Sequence, residues 1–511
     1  MPKRLAIIGA GSAGLITLHN ALRRLPDWEI QAFEKGDNVR GAWGNPYPGF
    51  ISTSTKYTTQ FSAFRKYDCT AGENYEDFFR DDEYGNYLDE FAEKFDLLRH
   101  IALNTEVTKI ARSAEQWLVS HGDKQDPFDA VVVATGLHER PRQVDLDIPT
   151  IRSVEERENV RDSTVIVMGG GESAADTANR LALPDRNNTV YLSLRSGIRV
   201  SPRYHPIRGV PSDFLRNRLL LSIHPDIRNA IGQKFVETRI RNRELFERLF
   251  PGRDKRLAAS DPVEARKRHW DFLFTKTAKD KLFNTFHNKS DGFLDAIGEG
   301  RIQIIGPPVE GKATQFHNFE QTETLAIHAD YLVPQLGYTN GLSDLFEEDI
   351  HLRDFYLGCQ HTTYDNLFLA GFARPIIGNI PTISEQVAKY VTATLAGKIP
   401  HPENITHLQS EDRAYMSERF ARIDIDTVYP VEMFPYCDRL ATLTGTLPTR
   451  KKLGFKKWLK IQLTPATTMH YMDDDFDPAE LESEKIYTPP ILNTLLGIIR
   501  FVDLLTRTNR R

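Results

Sequence analysis

The chain has 511 residues, of which 40% are hydrophobic and 26% are charged, and its formal net charge is -5 at pH 7. This composition is typical of one large or two interleaved globular domains, and it excludes a disordered or a fibrous protein. The charge gives no reason to expect nucleic acid as a main partner.

Cysteine and apolar content narrow the class further. Cys69, Cys359 and Cys437 lie far apart and form no CxxC pair, which excludes a thioredoxin-like dithiol site and a cysteine zinc cluster. So few cysteines favour a reducing compartment. We expect no cleavable signal, because a strand pattern begins almost at the N-terminus, and no apolar stretch has the length of a membrane span. We therefore predict a cytoplasmic protein without a metal site.

The first predicted unit begins with an apolar run over residues 4–9 that leads into a glycine turn and a helical pattern. Gly9 permits the tight turn, Gly11 lets the backbone approach a pyrophosphate, and Gly14 lets helix and strand pack closely. The next strand, EIQAFEK, ends in Glu34, whose carboxylate suits a ribose 2′-hydroxyl and would repel a 2′-phosphate. The pattern predicts an FAD or NAD site. Its other predicted contacts are Ser12, Ala13 and Lys35.

A second turn of the same kind follows the apolar run that ends in VMGGGESAADTANRL. Gly169 and Gly171 occupy the first two positions, and Ala174 replaces the third glycine. The strand TVYLSLRSG carries no acid at the matching end but places Arg195 and Ser196 there. Because a guanidinium binds a 2′-phosphate well, this turn is predicted to bind NADPH. Its other predicted contacts are Glu172 and Ser173.

The order of the strands indicates that one dinucleotide domain is inserted in the other. Each glycine turn is followed later by a buried-type strand, first DAVVVATG and then DYLVPQLG. The predicted fold class is α/β, with two nested Rossmann-like dinucleotide-binding domains and a helical insertion. The predicted parts are an FAD-binding domain at 1–150 and 336–475, an NADPH-binding domain at 151–335 with a helical insertion at about 201–300, and a C-terminal tail at 476–511.

Eight further segments follow the order known from one protein family. They are GDNVRGAWGNPYPGF, TKYTTQFSAF, YGNYLDEFAEKFDL, NTEVTKI, VVVATGLHERP, GFARPIIGNIPTISEQ, FPYCDRLATLTGTLP and LTPATTMHYM. Together with the two turns, they resemble the flavin-containing monooxygenases over residues 4 to about 475. The chain resembles a divergent member of that family. The resemblance implies that the first site holds FAD and that NADPH at the second site reduces it.

The resemblance also assigns residues to the flavin site. Those implied to contact FAD are Ala42, Trp43, Val107, Gly136 and Gln386. Thr59 falls at the position of the family's flavin-side asparagine, Lys56 and Gln60 lie beside it, and Asn379 falls near the isoalloxazine. We expect Lys56, Thr59 and Gln60 to lie on an alternating strand, STSTKYTTQFS. The family's nicotinamide-handling histidine falls at Arg152 or Ser153 here.

The implied reaction is monooxygenation of a small organic substrate. NADPH reduces FAD, the reduced FAD takes up molecular oxygen as a flavin hydroperoxide, and a nucleophilic nitrogen or sulfur of the substrate accepts its terminal oxygen. We favour nitrogen slightly. Such chemistry requires a dry pocket more than an acid–base constellation, which is in keeping with the sequence, because no such constellation stands out in it.

Four other functions are considered at this point. The same chemistry serves a Baeyer–Villiger monooxygenase, or a single-component flavin-dependent halogenase in which Lys56 would relay hypohalous acid. A disulfide reductase would need the cysteine pair that the chain lacks. The fourth alternative belongs to a different class of function, a flavin-binding protein without catalytic activity. The second site with Arg195 argues against it, because such a protein would not need to bind NADPH.

The chain ends in PPILNTLLGIIRFVDLLTRTNRR, which predicts an amphipathic helix followed by arginines. One face of this helix carries Leu495, Leu496, Ile499, Val502 and Leu505. Docking on the core or packing in a dimer explains such a face, and homodimers are a habit of the family. Peripheral contact with a membrane surface is the alternative, which the final arginines favour.

Overall fold

Two mainly parallel sheets form the framework of the protein. The computed structural model describes residues 2–205, 208–242, 261–312 and 314–508. These residues divide into two units. The first unit comprises Met1–Arg140, Asp213–His224 and Thr339–Arg511, and the second comprises Pro141–Ser212 and Pro225–Tyr338.

The strands, in chain order, are β1 (Lys3–Ile8), β2 (Trp28–Phe33), β3 (Ile51–Thr55), β4 (Phe78–Arg80), β5 (Ile101–Ala102), β6 (Val107–Ser113), β7 (Gln116–His121), β8 (Lys124–Phe128), β9 (Ala130–Val133), β10 (Arg140–Pro141), β11 (Thr164–Met168), β12 (Thr189–Ser193), β13 (Ile302–Pro308), β14 (Gln315–Asn318), β15 (Thr324–Ala326), β16 (Tyr331–Pro334), β17 (Tyr338–Thr339), β18 (Phe355–Tyr356), β19 (Gln360–His361), β20 (Leu367–Leu369), β21 (Ala373–Ile377) and β22 (Tyr429–Glu432).

The described α-helices are α1 (Ser12–Arg24), α2 (Lys56–Thr59), α3 (Glu83–Lys94), α4 (Val154–Glu158), α5 (Glu172–Leu181), α6 (Arg218–Leu221), α7 (Pro225–Arg241), α8 (Pro262–Thr277), α9 (Phe293–Gly298), α10 (Leu342–Leu345), α11 (Ile380–Leu395), α12 (Ile405–Arg419), α13 (Met433–Leu443), α14 (Arg450–Leu463), α15 (Pro478–Ser483) and α16 (Pro490–Thr508). One-turn 3-10 helices include Gly41–Trp43 and Thr468–His470.

The sheet of the first unit has the strand order β18-β19-β20-β9-β1-β2-β5. The five strands from β20 to β5 run parallel, with Leu5 beside Ala130 and Val131 beside Leu367. β9 and β20 are apolar and buried along their whole length, as is typical of parallel strands covered on both faces. The centre of this sheet therefore combines strands from distant parts of the chain.

The sheet of the second unit has the order β15-β14-β13-β12-β11-β16. Its strands β16, β11, β12 and β13 run parallel, and β14 and β15 complete one edge in antiparallel pairs. Apolar side chains form a buried cluster on each face, one around Val167 and Phe274 and the other around Met168 and Phe316. The alternation of Val167 and Met168 follows from the two-residue period of a strand.

The architecture confirms the predicted fold class of two nested Rossmann-like units. β1 with α1 and β11 with α5 are the two strand–turn–helix starts that the glycine patterns predict. In the range of the predicted helical insertion, α7, α8 and α9 belong to the second unit, whereas α6 lies within Asp213–His224 and belongs to the first. Residues 243–260 of that range lie outside the described residues.

The predicted strand STSTKYTTQFS is wrong in its second half. β3 ends at Thr55, and the following residues form the one-turn helix α2. The side chain of Thr55 caps this helix by accepting a hydrogen bond from the Thr58 amide at 3.3 Å. A threonine that satisfies a first-turn amide in this way favours a helix start over continued strand pairing.

The terminal helix α16 does not dock on the first unit through the face expected for core packing. Leu496 is 7% exposed, but Leu495 and Val502 of the same face are 53% and 51% exposed. In the described part of the chain, no helix has both the length and the apolar character needed to cross a membrane.

Candidate functional site

The first glycine turn is held by close backbone packing. Gly9 has φ of +97°, and its amide donates to the carbonyl of Phe33 at 2.7 Å. A methyl group on Gly14 would lie 1.9 Å from the carbonyl oxygen of Gly9. Only glycine fits there. Within the described residues no side chain caps the N-terminus of α1, whose first turn contains Ser12 and Ala13, and an uncapped helix start suits an anion.

The carboxylate of Glu34 stands beside this turn, as the strand register requires. Its Oε2 accepts a hydrogen bond from the Ala10 amide at 2.7 Å, and its Oε1 accepts one from the Gly36 amide at 2.9 Å. Two backbone donors thus fix the half-buried carboxylate at the end of β2. A carboxylate has about four lone pairs, so it can still accept hydrogen bonds from ribose hydroxyls.

The segment around Trp43 packs against the same turn. Gly41 has φ of +54°, and a methyl group there would lie 3.0 Å from the Cα of Gly11. The next two residues, Ala42 and Trp43, complete the 3-10 helix, and the indole of Trp43 lies edge-on to Tyr84 at 4.8 Å. The structure therefore brings Ala42 and Trp43 to the glycine turn.

Three more predicted contacts lie near Glu34 or just after the end of β9. The amide of Thr105 donates to the Glu34 carbonyl at 2.8 Å, which sets the start of β6, at Val107, close to that residue. Gly136 follows β9 and has φ of +81°. Two residues before it, the amide of Ala134 donates a hydrogen bond to the carbonyl of Ile8 at the end of β1. Lys35 forms an ion pair of 3.0 Å with Glu139.

The helix α11 contributes Gln386 to this region. α1 and α11 pack together, and a methyl group on Gly371 would lie 2.8 Å from the Cβ of Ala13. Gln386 is 1% exposed, and within the described residues its Nε2 has no hydrogen-bond partner. A buried amide without a partner costs free energy, so this donor fits a bound group such as the flavin.

The candidates for the reactive site meet where α2 reaches the start of α11. Asn379 caps α11 by accepting from the Thr382 amide at 3.1 Å, and its Nδ2 donates to the Thr58 carbonyl at 2.8 Å. Thr59 donates its hydroxyl to the Thr55 carbonyl at 2.8 Å. Both side chains therefore hold backbone in place.

Gln60 and Lys56 are also engaged. Gln60 is 1% exposed and clamps the backbone of Lys66 and Tyr67, with Nε2 donating to the Tyr67 carbonyl at 2.7 Å. The ammonium of Lys56 forms an ion pair of 2.8 Å with Glu83 and lies over the ring of Tyr67. Roles for these four residues in the reaction stay a prediction.

Two buried polar clusters beside this region were missed from the sequence. Lys389 pairs with Glu385 at 2.6 Å and with Asp473, and all three side chains are at most 3% exposed. Burial alone would raise the pKa of Asp473, yet Lys389 holds it below its ordinary value. Glu385 also accepts from the Ser62 amide at 3.1 Å, which ties the cluster to the chain after α2.

The second cluster joins α2 to the C-terminal tail. Tyr57 donates its hydroxyl to Glu484 at 2.7 Å, and the same carboxylate contacts Nε2 of His470 at 2.9 Å. Burial alone would raise the pKa of Glu484, but His470 and Tyr57 lower it. Separations of more than 400 residues in the chain hide this contact from sequence patterns.

The second glycine turn lies wholly in the second unit. Gly169 has φ of +142°, and a methyl group there would lie 2.2 Å from the carbonyl oxygen of Gln335. Within the described residues, no heavy atom lies within 4 Å of the place that a Cβ would take at Gly171. Glu172 and the exposed Ser173 open α5 directly after it.

Arg195 and Ser196 follow β12, which pairs Ser193 with Met168 just before the turn. The Arg195 side chain is exposed, and its backbone carbonyl accepts from Gln321 at 3.3 Å. The strand register thus brings the predicted 2′-phosphate residues to the same edge as Gly169 and Gly171.

Ser153, one of the two positions that match the family's histidine, caps α4 together with Glu156.

A further segment packs on this turn and carried no recognisable sequence signal. Asn288 donates to the Gly170 carbonyl at 3.1 Å, and the Lys289 amide donates to Glu172 at 3.0 Å. Within the described residues, the buried hydroxyl of Ser290 has no hydrogen-bond partner. This segment borders the second glycine turn and could be found only from the structure.

Two glycine turns, each between a strand and a helix of its own parallel sheet, define a protein that binds two dinucleotides. Comparison with known proteins narrows this class. Residues 2–251 match the model of the family described as flavin-binding monooxygenase-like.

Individual relatives span nearly the whole chain. The 4-hydroxybenzoate brominase (decarboxylating) of Pseudoalteromonas luteoviolacea (strain 2ta16) is 24% identical over 491 residues, 91% of this chain and 88% of its own. The dimethylaniline monooxygenase (N-oxide-forming) 2 of Rattus norvegicus is 28% identical over 514 residues, which cover 92% of this chain and 88% of the relative. The cyclohexanone monooxygenase of Rhodococcus sp. Phi1 superposes with a TM-score of 0.59 at 18% sequence identity. The superposition covers 87% of this chain and 98% of that one, which shows a shared fold.

These matches support the predicted resemblance to the flavin-containing monooxygenases. The protein is a flavin-dependent monooxygenase, an oxidoreductase that uses FAD and NADPH.

Proposed function

We propose that the protein oxygenates a nucleophilic nitrogen or sulfur of a small organic substrate, with nitrogen favoured. One observation carries this proposal: the polar groups where α2 meets α11 are engaged. Lys56 is paired with Glu83 at 2.8 Å and Glu385 with Lys389 at 2.6 Å. An amine or thioether offers a lone pair without losing a proton, so its oxygenation needs no general base from such a site.

The first unit would hold FAD. Glu34 would accept from the ribose, the start of α1 would face the pyrophosphate, and Gln386 would donate its unpartnered Nε2 to the flavin. When bound, FAD supplies the activation of molecular oxygen and its transfer. The remaining proposed contacts are Gly9, Gly11, Gly14, Ser12, Ala13, Lys35, Ala42, Trp43, Val107 and Gly136.

The second unit would hold NADPH. Arg195 and Ser196 would bind the 2′-phosphate, and the open space at Gly171 would admit the pyrophosphate to the start of α5. Glu172 and Ser173 would border it. Hydride from NADPH is the reductant that the first unit requires.

The proposed reactive-site residues shape the pocket. Thr59 and Asn379 hold the end of α2 against the start of α11, and Gln60 fixes the loop that follows. Rigid, internally satisfied side chains of this kind exclude water from a reaction site. Lys56 would be the cation at its margin.

Halogenation is the second candidate, and the similarity to a brominase of 4-hydroxybenzoate favours it. In that case Lys56 would leave Glu83 and present its ammonium to the halogenating species. A phenol substrate would also need a proton acceptor. The engagement of Glu83 and Glu385 in ion pairs weighs against this candidate.

The test starts with the FAD-loaded protein under anaerobic conditions. NADPH should bleach the flavin faster than NADH does. Air is then admitted with dimethylaniline, with methyl phenyl sulfide, or with 4-hydroxybenzoate and bromide, and the products are identified by mass spectrometry. An N-oxide or sulfoxide supports the proposal, and a brominated phenol would replace it with the second candidate. Flavin that NADPH cannot bleach would instead indicate a non-catalytic flavin-binding protein.

The proposal extends to partners and location. Its small-molecule substrate and molecular oxygen follow from the reaction class. A cytoplasmic location is supported by Cys69, Cys359 and Cys437, which are all buried thiols without a disulfide. Homodimer formation and peripheral membrane contact would both involve the C-terminal helix.

A further inference from the structure

Tyr84 is a buried phenol whose hydroxyl is not satisfied by the protein. The residue lies in the first turn of α3 and is 1% exposed. Within the described residues, no group completes a hydrogen bond with its hydroxyl. A buried polar group without a partner costs free energy, whereas a phenylalanine would fill the same space without that cost. The hydroxyl therefore points to a bound group that the protein receives at this place.

Close packing sets Tyr84 beside the first glycine turn. A methyl group on Gly85 would lie 3.2 Å from the carbonyl oxygen of Trp43, and the indole of Trp43 lies edge-on to the ring of Tyr84 at 4.8 Å. A methyl group on Gly41 would lie 3.0 Å from the Cα of Gly11. These contacts form a continuous path from the start of α3 to the start of α1.

The phenol ring is held by its aromatic neighbours. Phe79 lies edge-on to it at 4.8 Å, and Tyr87 stacks on it at 5.6 Å. Burial raises the pKa of Tyr84 well above its ordinary value, and the neighbouring side chain of Ser12, in the first turn of α1, offsets only part of this rise. The phenol therefore keeps its proton and can donate a hydrogen bond to an anion.

The start of α1 favours an anion as the acceptor. No side chain caps this helix within the described residues, so its first amides are donors that a phosphate can use. The cation next to Gly41 is Arg40, whose guanidinium is paired with Asp89 at 2.6 Å. Because that charge is already compensated, a diphosphate at the turn would depend on neutral donors.

We propose that Tyr84 donates a hydrogen bond from its hydroxyl to the pyrophosphate of FAD, beside the amides at the start of α1. The glycine pattern does not include this residue, which lies about 70 positions further along the chain. The inference rests on the proposed placement of FAD in the first unit. It adds to that placement a donor from a different helix.

Tyr84→Phe tests the inference, because it removes one oxygen atom and keeps the ring contacts. The Kd of the flavin-free protein for FAD, measured by flavin fluorescence, should rise about 10- to 100-fold, as expected for a hydrogen bond to a charged group. The phosphorus NMR resonances of bound FAD should shift. The urea midpoint of the flavin-free protein should not fall, because the removed hydroxyl has no protein partner.

Tyr87→Phe is the matched control, one turn later on the same helix. Its hydroxyl is also buried, but it accepts from the Phe61 amide at 2.7 Å and donates to the Phe64 carbonyl at 2.9 Å. This variant should lower the urea midpoint of the flavin-free protein and leave the phosphorus resonances of bound FAD in place.

Two results would overturn the role of Tyr84 alone. One is a Tyr84→Phe protein with the Kd and the phosphorus resonances of the unchanged protein. The other is a urea midpoint that falls as it does in Tyr87→Phe, which would show a structural role for the hydroxyl. An unchanged protein that binds no FAD would instead overturn the placement of FAD, and the inference with it.

Discussion

At the residue scale, Glu172 makes the second glycine turn sensitive to pH. Burial and the nearby charge of Asp176 raise the pKa of its carboxyl to about 7. Below that pH the neutral acid does not oppose a pyrophosphate at the start of α5, and above it the carboxylate repels one. We expect the Kd for NADPH to increase as the pH rises through about 7, and Glu172→Gln to remove that increase. Anaerobic titration at several pH values measures both, and equal slopes would contradict the placement of Glu172.

Arg195 should determine the choice between coenzymes. A guanidinium bound to a 2′-phosphate contributes about 1.5–3 kcal/mol, which corresponds to roughly 10- to 100-fold in affinity. Arg195→Ala should therefore raise the KM for NADPH by that factor and leave the KM for NADH unchanged. Arg161→Ala is the matched control, because this exposed arginine precedes the opposite end of β11. A similar loss with NADH would show a general disruption of the unit.

Gln386 separates a role toward FAD from a role in folding. Its buried Nε2 has no partner within the described residues, so Gln386→Leu should not destabilise the flavin-free protein. With FAD bound, the variant should lose about 1–3 kcal/mol of flavin affinity. Flavin release in urea and unfolding of the flavin-free protein are compared. A variant that destabilises both forms equally would place Gln386 in the core alone.

At the element scale, α11 depends on the buried charges that it carries. Lys389→Met leaves Glu385 and Asp473 without their cation, and breaking a buried pair in this way costs about 3–5 kcal/mol. We expect a lower urea midpoint for the far-UV circular dichroism of the holoenzyme. Adding Glu385→Gln and Asp473→Asn removes all three charges and should restore much of the loss. An unchanged midpoint for Lys389→Met would mean that the cluster is not stabilising.

The elements that carry local signals could be predicted from the sequence. The strands, turns and helices around Gly9 and Gly169 follow from apolar runs and glycine spacing, and Glu34 and Arg195 lie where the second strand of each unit ends. α2 was missed because its cap at Thr55 is one hydroxyl in a threonine-rich run. The contact of Tyr57 with Glu484 depends on tertiary packing alone, and no local pattern encodes it.

The sequence also did not predict that the apolar side of α16, which carries Leu495 and Val502, is exposed. The periodicity shows that α16 is amphipathic but does not show which stripe faces the protein. The partners of Asn493, Arg500 and Asp503 are Asn217, the residue before α6, Gln462 of α14, and His224, the residue before α7. No local pattern in the sequence of α16 encodes these contacts.

At the scale of the whole molecule, the first unit needs both ends of the chain. A protein that ends at Tyr338 would lack β18, β19, β20 and α11 while the second unit stays complete. We expect this shortened chain to bind NADP+ but no FAD, measured by calorimetry and by visible absorbance. Adding residues 339–511 as a separate chain should restore flavin binding. Flavin in the shortened chain alone would contradict the assignment of α11 to the site.

The pairing of β9 with β20 has a consequence for synthesis on the ribosome. Val131 to Val133 emerge 236 residues before Leu367 to Leu369, their partners in the sheet. Because synthesis adds roughly 5–20 residues per second, the apolar edge of β9 stays unpaired on that side for tens of seconds. The second unit, which the middle of the chain forms, can therefore finish folding before the first unit does. During that interval, the nascent N-terminal strands are the natural client of a chaperone that shields extended apolar segments.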